Sequence, residues 1–243
     1  MGKTRDVYAV ILAGGAGTRM NSPTPKQFMM LGGAPVFVHA ARKLLGDARV
    51  KQLWIGANGD WYDLARQQID EFIDNGRVMM CEGGADREAT LLNTLSAIRA
   101  HNEVGPEDAV LIHDAVRPFL TGRIIDDVIR EMDHCDACNT VVPVNDTIVQ
   151  SADGKTISGM PVRGELFAGQ SPQGFRLITL LDAFRSLSTE ERTQLTETTK
   201  VCFVKNISIH IVRGEFFNFK ITTPYDWHVA RNILEFTEGG QPV

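Results

Sequence analysis

Through residue 144 the chain alternates short apolar runs with longer amphipathic ones, and this rhythm limits its fold more than any other feature. The short runs lie at residues 7–13, 52–57, 77–81, 109–113 and 139–144. Between them, residues 35–45, 61–74, 86–101 and 122–134 have the length and mixed polarity of helices that bury one face. Strand-then-helix alternation predicts an α/β fold, a Rossmann-like and mostly parallel sheet with helices on both faces. Ligands of such sheets bind at the carboxyl ends of the strands, so functional residues should follow strands. At 243 residues, the chain can bury a sizeable core as one domain spanning 1–243.

After Val144 the rhythm breaks. Residues 146–150 and 156–160 flank Ser151-Ala152-Asp153-Gly154-Lys155, and Asp-Gly between two alternating runs signals a hairpin. A β-arm at about 145–165 is therefore expected to leave the sheet, and its open edge calls for a cover. A second copy of the chain is the simplest one, so a homodimer is expected. Beyond the arm the pattern predicts a helix at 177–187, strands at 208–212 and 217–222, and a helix after Pro224.

A net charge of −5 provides no global basic field, so nucleic acid is not an expected partner. No run approaches the roughly 18 apolar residues of a membrane span, so no membrane partner is expected. The apolar start at Val7 runs straight into glycines and reads as a buried first strand rather than a secretory core. Four cysteines are too sparse for a disulfide scaffold, and cytoplasmic residence is the expectation. Cys135-Asp136-Ala137-Cys138 is a C-x-x-C beside His134, but a structural zinc site needs further ligands at suitable spacing. Cys81 and Cys202 are isolated, so neither metal nor redox function is expected of the motif. Trp54, Trp61 and Trp227 read as packing.

The chemistry concentrates after two strands. The first is followed by Leu12-Ala13-Gly14-Gly15-Ala16-Gly17-Thr18-Arg19-Met20, then Pro25-Lys26-Gln27. Glycines directly after a strand let backbone N–H groups approach an anion closely. Neither the dinucleotide fingerprint nor the P-loop is complete, since Met20 stands where a third glycine would and no Gly-Lys-Ser/Thr closes the loop. What remains is a glycine loop with two cations, Arg19 and Lys26, suited to a triphosphate and to charge developing at phosphorus. The run at 109–113 ends in Asp114-Ala115-Val116-Arg117-Pro118. A carboxylate there is placed to hold Mg²⁺ against a phosphate, and Thr121 is the better cap for the next helix. His113 reads as a buried histidine satisfied by the backbone.

These blocks resemble the sugar-phosphate cytidylyltransferase family. The loop with Pro25-Lys26-Gln27-Phe28 resembles the family's opening, and His113-Asp114-Ala115-Val116-Arg117-Pro118 its metal-binding turn. The resemblance continues in order through Gly83-Gly84-Ala85-Asp86-Arg87, Asp146-Thr147, Arg163 to Ser171-Pro172-Gln173, and Asn218-Phe219-Lys220-Ile221-Thr222. It implies an enzyme that joins CTP to a polyol phosphate, releasing pyrophosphate, with Mg²⁺ as cofactor. By the same resemblance Leu12, Ala13, Gly14, Gly15, Gly83, Gly84, Ala85, Thr90, Asp114 and Ala115 contact the nucleotide. Arg19 and Lys26 steady the transition state, and Asp114 holds the metal. Arg163 and Lys220 grip the sugar phosphate, with Thr147, Arg117 and Thr196 beside them, while the arm makes dimer contacts and lends residues to the neighbouring site.

Two branches of the family compete, one acting on D-ribitol 5-phosphate and one on 2-C-methyl-D-erythritol 4-phosphate. The text around His113–Thr121, Asp146–Val149, Pro161–Leu166, Gly169–Gln173 and Thr222–Asp226 resembles the ribitol branch more closely. Ala85 stands where the erythritol branch carries Asp, Ser171 replaces Thr, and the family's Thr-Asp-Glu-Ala block reads Thr196-Glu197-Thr198-Thr199. Glu165, Gln170 and Ser171 are polar candidates for an extra substrate hydroxyl.

Overall fold

A computed structural model describes residues 5–15, 23–74 and 76–238. In chain order the elements are β1 (Val7–Leu12), a 3₁₀ turn at Lys26–Phe28, β2 (Met30–Leu31), β3 (Ala34–Pro35), α1 (Val36–Gly46), β4 (Val50–Ala57), α2 (Gly59–Phe72), β5 (Val78–Glu82), α3 (Arg87–His101), β6 (Ala109–Asp114), α4 (Gly122–Glu131) and β7 (Ala137–Pro143). There follow β8 (Phe167–Arg176), α5 (Leu177–Arg185), α6 (Thr189–Thr193), α7 (Thr199–Val204), β9 (Ile209–Arg213) and α8 (Pro224–Glu238). Among the described residues the main sheet has seven strands in the order β5-β4-β1-β6-β8-β7-β9. Only β8 runs antiparallel to its neighbours. The expected mostly parallel α/β sheet is thus the one observed.

The alternation of β1 explains why helices cover both faces. Val7, Ala9 and Ile11 pack toward α1, α2 and α4, through residues such as Phe37, Ile69 and Ile125. Tyr8 and Val10 pack toward α3, α5 and α7, against Leu91, Leu95, Leu181 and Val201. A strand buried on both faces must read as a continuous apolar run, as this one does. α2, α3 and α4 start at side-chain caps: Asn58 accepts from Asp60 N, Asp86 from Ala89 N, and Thr121 from Ile124 N.

Three sequence expectations need correction. Residues 217–222 form no strand. Asn218 and Ile221 are the fully buried positions, a spacing of three rather than two, so the segment crosses the strand ends as an irregular strap. The arm is present and almost wholly exposed, but its flanks are irregular and joined by the bridge Gln150–Gly159 rather than paired as a hairpin. Its tip is closed by Asp153, which accepts from Lys155 N, Thr156 N, Thr156 Oγ1 and Ser151 Oγ, with Gly154 at φ +69°. These donors hold the Asp153 carboxyl well below its usual range. The third correction is β8, a ten-residue strand between β6 and β7 that the apolar-run reading passes over. Pro172 argues against a central strand, yet the ladder to β6 ends at Ile112–Gln173 and that to β7 is irregular between Asn139 and Val141, so the proline sits where pairing is interrupted.

Candidate active site

The carboxyl ends of β1, β4 and β6, the start of α3 and the strap surround a cavity of about 470 Å³. Its wall carries Leu12, Gly14, Gly15, Lys26, Ala85, Thr90, Asp114, Ala115 and Lys220, all expected from the sequence. Asn58, Gln27, Asp86, Arg87 and Val116 join them. Arg19 lies outside the described residues. Ala13, Gly83 and Gly84 shape the wall from behind rather than line it. A Cβ on Gly84 would overlap Ala89, and one on Gly83 would stand 2.9 Å from Thr90 Oγ1, so these glycines let the β5–α3 loop close onto β4 and α3. Gly15 has open space around it and faces the cavity.

Gln27 is a residue whose role the sequence reading missed. Its buried amide donates to Ala13 O and to Gly15 O, both at 2.7 Å, and so ties the glycine loop to the turn that carries Lys26. Lys26 itself is only 7% exposed. On the other side Thr90 Oγ1 accepts from Gly84 N at 3.0 Å and donates to Asp86 O at 2.8 Å, which fixes the loop opening α3. Residues 12–15 and the start of α3 border the same cavity.

Asp114 is the electrostatic centre. Lys220 Nζ lies 3.1 Å from its Oδ2, Arg117 Nε 3.3 Å from the same oxygen, and Arg87 3.8 Å from Oδ1. Burial opposes the carboxylate's charge, but Lys220, Arg87 and Arg117 outweigh it and hold Asp114 well below the usual carboxylate range. Arg87 also donates to Thr198 Oγ1 at 2.9 Å, linking the cavity to the loop at residues 196–198. Its signal was available, since it directly follows the Asp86 cap.

The strap reaches this centre through a buried polar web. Arg117 donates to Asn218 O at 2.8 Å and to Gly169 O at 3.3 Å, and Ile221 N donates to Val116 O at 2.9 Å. Asn218 Nδ2 donates to Ser171 O, and Gln170 donates to Glu215 O while accepting from Glu215 N. Arg117 thus holds the Lys220 strap against β6. Gln170 and Ser171, expected as polar partners for a substrate hydroxyl, are buried in this web and do not line the cavity.

His113 is wholly buried, with Nε2 against Arg117 O at 3.0 Å and Nδ1 against Ser171 Oγ at 3.0 Å. Burial pushes its pKa down to about 4. The unfolded chain would take up this proton near pH 6.5 and the folded one only near 4, so the stability is complete above pH 6.5 and falls as pH drops toward 4. The expected loss is on the order of 3 kcal/mol. Urea melts at pH 7.5 and 5 should show about 2 kcal/mol of it, the rest being lost only at still lower pH, and His113→Gln should flatten the slope while lowering overall stability. An unchanged slope in the variant would assign the acid lability elsewhere.

Thr147 and Arg163 lie on the exposed arm, where Arg163 donates to Asn145 O at 3.3 Å; neither lines the cavity of its own chain. Glu165 and Thr196 are also exposed and stand outside the cavity wall.

A glycine loop, a capped helix start and converging cations at the carboxyl ends of parallel strands define an α/β protein built for an anionic, nucleotide-like ligand. The sequence profile described as IspD, 2-C-methyl-D-erythritol 4-phosphate cytidylyltransferase, matches residues 7–236. The chain belongs to this cytidylyltransferase family. It is 41% identical over 230 residues to a ribitol-5-phosphate cytidylyltransferase of Lactiplantibacillus plantarum, covering 94% of this chain and 98% of that protein. A ribitol-5-phosphate cytidylyltransferase of Streptococcus pneumoniae serotype 2 is 40% identical over 232 residues, covering 94% and 99%. The crystal structure of 4-diphosphocytidyl-2C-methyl-D-erythritol synthase from Anaerococcus prevotii superposes with a TM-score of 0.79 at 21% identity, covering 95% of this chain and 99% of that one, which shows the shared fold. Among the described residues no helix is long and apolar enough to cross a membrane.

Proposed function

We propose that the protein joins CTP and D-ribitol 5-phosphate to give CDP-ribitol and pyrophosphate. The observation that carries the chemistry is the convergence of Lys26, Arg87 and Lys220 with Asp114 on one glycine-walled cavity in a chain of net charge −5. The ribitol assignment rests on relatives about 40% identical over 94% of the chain. In this reading Gly14, Gly15 and the loop at Ala85 cradle the nucleotide, and Lys26 faces its phosphates. A phosphate oxygen of the polyol phosphate attacks the α-phosphorus of CTP in line, and pyrophosphate leaves. A phosphate anion is already a competent nucleophile, so positioning and charge stabilisation suffice without a covalent enzyme intermediate. The test is pyrophosphate release from CTP with D-ribitol 5-phosphate, and absence of release with this polyol would reject the reading.

Mg²⁺ belongs to the same proposal. Magnesium at nucleotide sites is commonly held by one or two carboxylates plus substrate phosphates. A single carboxylate at the end of β6, flanked by three cations, fits an ion that arrives with the triphosphate better than one caged by the protein alone. Asp114 would hold it, and the ion would supply charge neutralisation on the phosphates. Asp114→Asn should raise the Mg²⁺ needed for half-maximal rate by at least roughly tenfold. Unchanged metal dependence would leave Asp114 as the counter-ion of Lys220 and Arg117.

The arm supports a homodimer. Ile148, Val149, Ile157, Met160, Val162 and Phe167 are exposed apolar side chains gathered on or beside it. Arg163 and Thr147 stand away from their own chain's cavity, as residues lent to a partner's site would. Light scattering at micromolar concentration is expected to report a dimer, and a fully active monomer would refute the arm exchange.

A further inference from the structure

Outside the active cavity, one cluster brings together side chains that the chain keeps far apart in sequence. Glu131 ends α4, Cys135 lies in the turn before β7, and His210 sits on the edge strand β9. β7 and β9 pair in parallel with Cys138 opposite His210, so both side chains face the layer that α4 covers. His210 Nδ1 lies 2.6 Å from Glu131 Oε1, and Cys135 Sγ donates to Glu131 O at 3.3 Å. One ligand atom each from Glu131, Cys135 and His210 lies within 4.8 Å of the other two, which among the described residues no other group of His, Cys, Asp or Glu side chains achieves.

We propose that Glu131, Cys135 and His210 form a binding site for a divalent cation of the zinc class. Metal–ligand bonds of about 2.0–2.3 Å in a tetrahedral site place ligand atoms somewhat closer together than the limit observed here, so side-chain rotations of modest size close it. Thiolate, imidazole and carboxylate together select a borderline-soft ion over magnesium, which prefers oxygen ligands. Cys135 and His210 also line a surface cavity of about 400 Å³ with Asp133, Asp136 and Arg176, which gives the ion a path in and leaves a fourth position for water. Cys138 stays outside the ligand set, buried with its thiol 3.8 Å from Met132 Sδ. The sequence shows only the C-x-x-C; the third and decisive ligand comes from residue 210, on a different strand.

The position defines what the ion does. It lies at the amino ends of β7 and β9, whereas the active cavity opens at the carboxyl end of β6, which runs parallel to β7. Among the described residues β9 pairs with β7 alone, so an ion bridging it to α4 fastens the edge of the sheet. Its effect is on stability rather than turnover.

The full-length protein, reduced and stripped with a chelator, is titrated with Zn²⁺ and separately with Co²⁺. Binding of one ion per chain is expected, with a thiolate-to-cobalt charge-transfer band and a melting temperature that rises with free Zn²⁺. Mg²⁺ at equal concentration should leave the melting temperature unchanged. Cys135→Ser should abolish the charge-transfer band, and both it and His210→Ala should weaken Zn²⁺ binding by on the order of 100-fold while leaving kcat unchanged. Cys138→Ser should bind within a few-fold of the parent. Absence of the band in the parent protein, or Zn²⁺ binding that survives both Cys135→Ser and His210→Ala, would overturn the site.

Discussion

Lys26→Ala is expected to lower kcat for pyrophosphate release by ~10²–10³ while the KM for CTP moves far less. The reason lies in how the side chain is held. Lys26 is almost wholly buried at the cavity wall, on a 3₁₀ turn whose next residue, Gln27, bonds the carbonyls of Ala13 and Gly15. A cation buried on an anchored turn has few conformations to lose when it meets its ligand. In the proposed reaction it would contribute most where negative charge builds during transfer, since preorganised donors act chiefly on the transition state. Gln27→Ala should reproduce part of the defect by loosening the loop, although its side chain carries no charge. If Lys26→Ala raises KM and leaves kcat intact, Lys26 is a ground-state clamp.

The second large effect is in substrate choice. With CTP saturating, kcat/KM for D-ribitol 5-phosphate is expected to exceed that for 2-C-methyl-D-erythritol 4-phosphate by ~10⁴, the discrimination reached when a site built to bond a hydroxyl meets an analogue lacking it. Lys220, a point charge, and Arg163, a planar fork on the arm, both suit a phosphate dianion and cannot tell the two polyols apart. The choice must therefore be made along the polyol chain. Gln170 and Ser171 are occupied by Glu215, Asp114 N and His113, which removes them as direct readers of a hydroxyl. Arg163→Ala should weaken either phosphate and barely change CTP affinity. A preference for the methylerythritol compound would overturn the ribitol assignment and leave the cytidylyltransferase family membership standing.

The same buried web shows why the site resists reading from the chain alone. By the family resemblance Arg117 stands beside Arg163 and Lys220 as a candidate for the sugar phosphate. In the fold its side chain is 10% exposed and its guanidinium bonds Asp114, Asn218 O and Gly169 O, so that it holds the strap carrying Lys220. Arg87, by contrast, was visible as one letter in a matching block and gains its meaning only through its approach to Asp114 and Thr198.

What the sequence by itself determined are the features written in local period and local caps. The buried strands β1, β4 and β6 announce themselves as short apolar runs, and the glycines after β1 and Asp114 after β6 stand at strand ends where a parallel sheet opens its crevice. Thr121 as a cap was legible for the same reason, since it depends on a neighbour three residues away; His113 has one such local partner, Arg117 O, but its second, Ser171 Oγ, comes from β8. The tertiary structure alone decided β8, the strap at 217–222 and the meeting of Glu131, Cys135 and His210. β8 is polar and carries Pro172, so it is a strand only because β6 and β7 offer their edges to it. The strap buries every third residue because it crosses strand ends instead of joining them. His210 reaches Cys135 only through the pairing of β9 with β7. Propensity and periodicity act over a few residues, whereas these features are set by partners far away in the chain, whose contacts exist only once the sheet has closed.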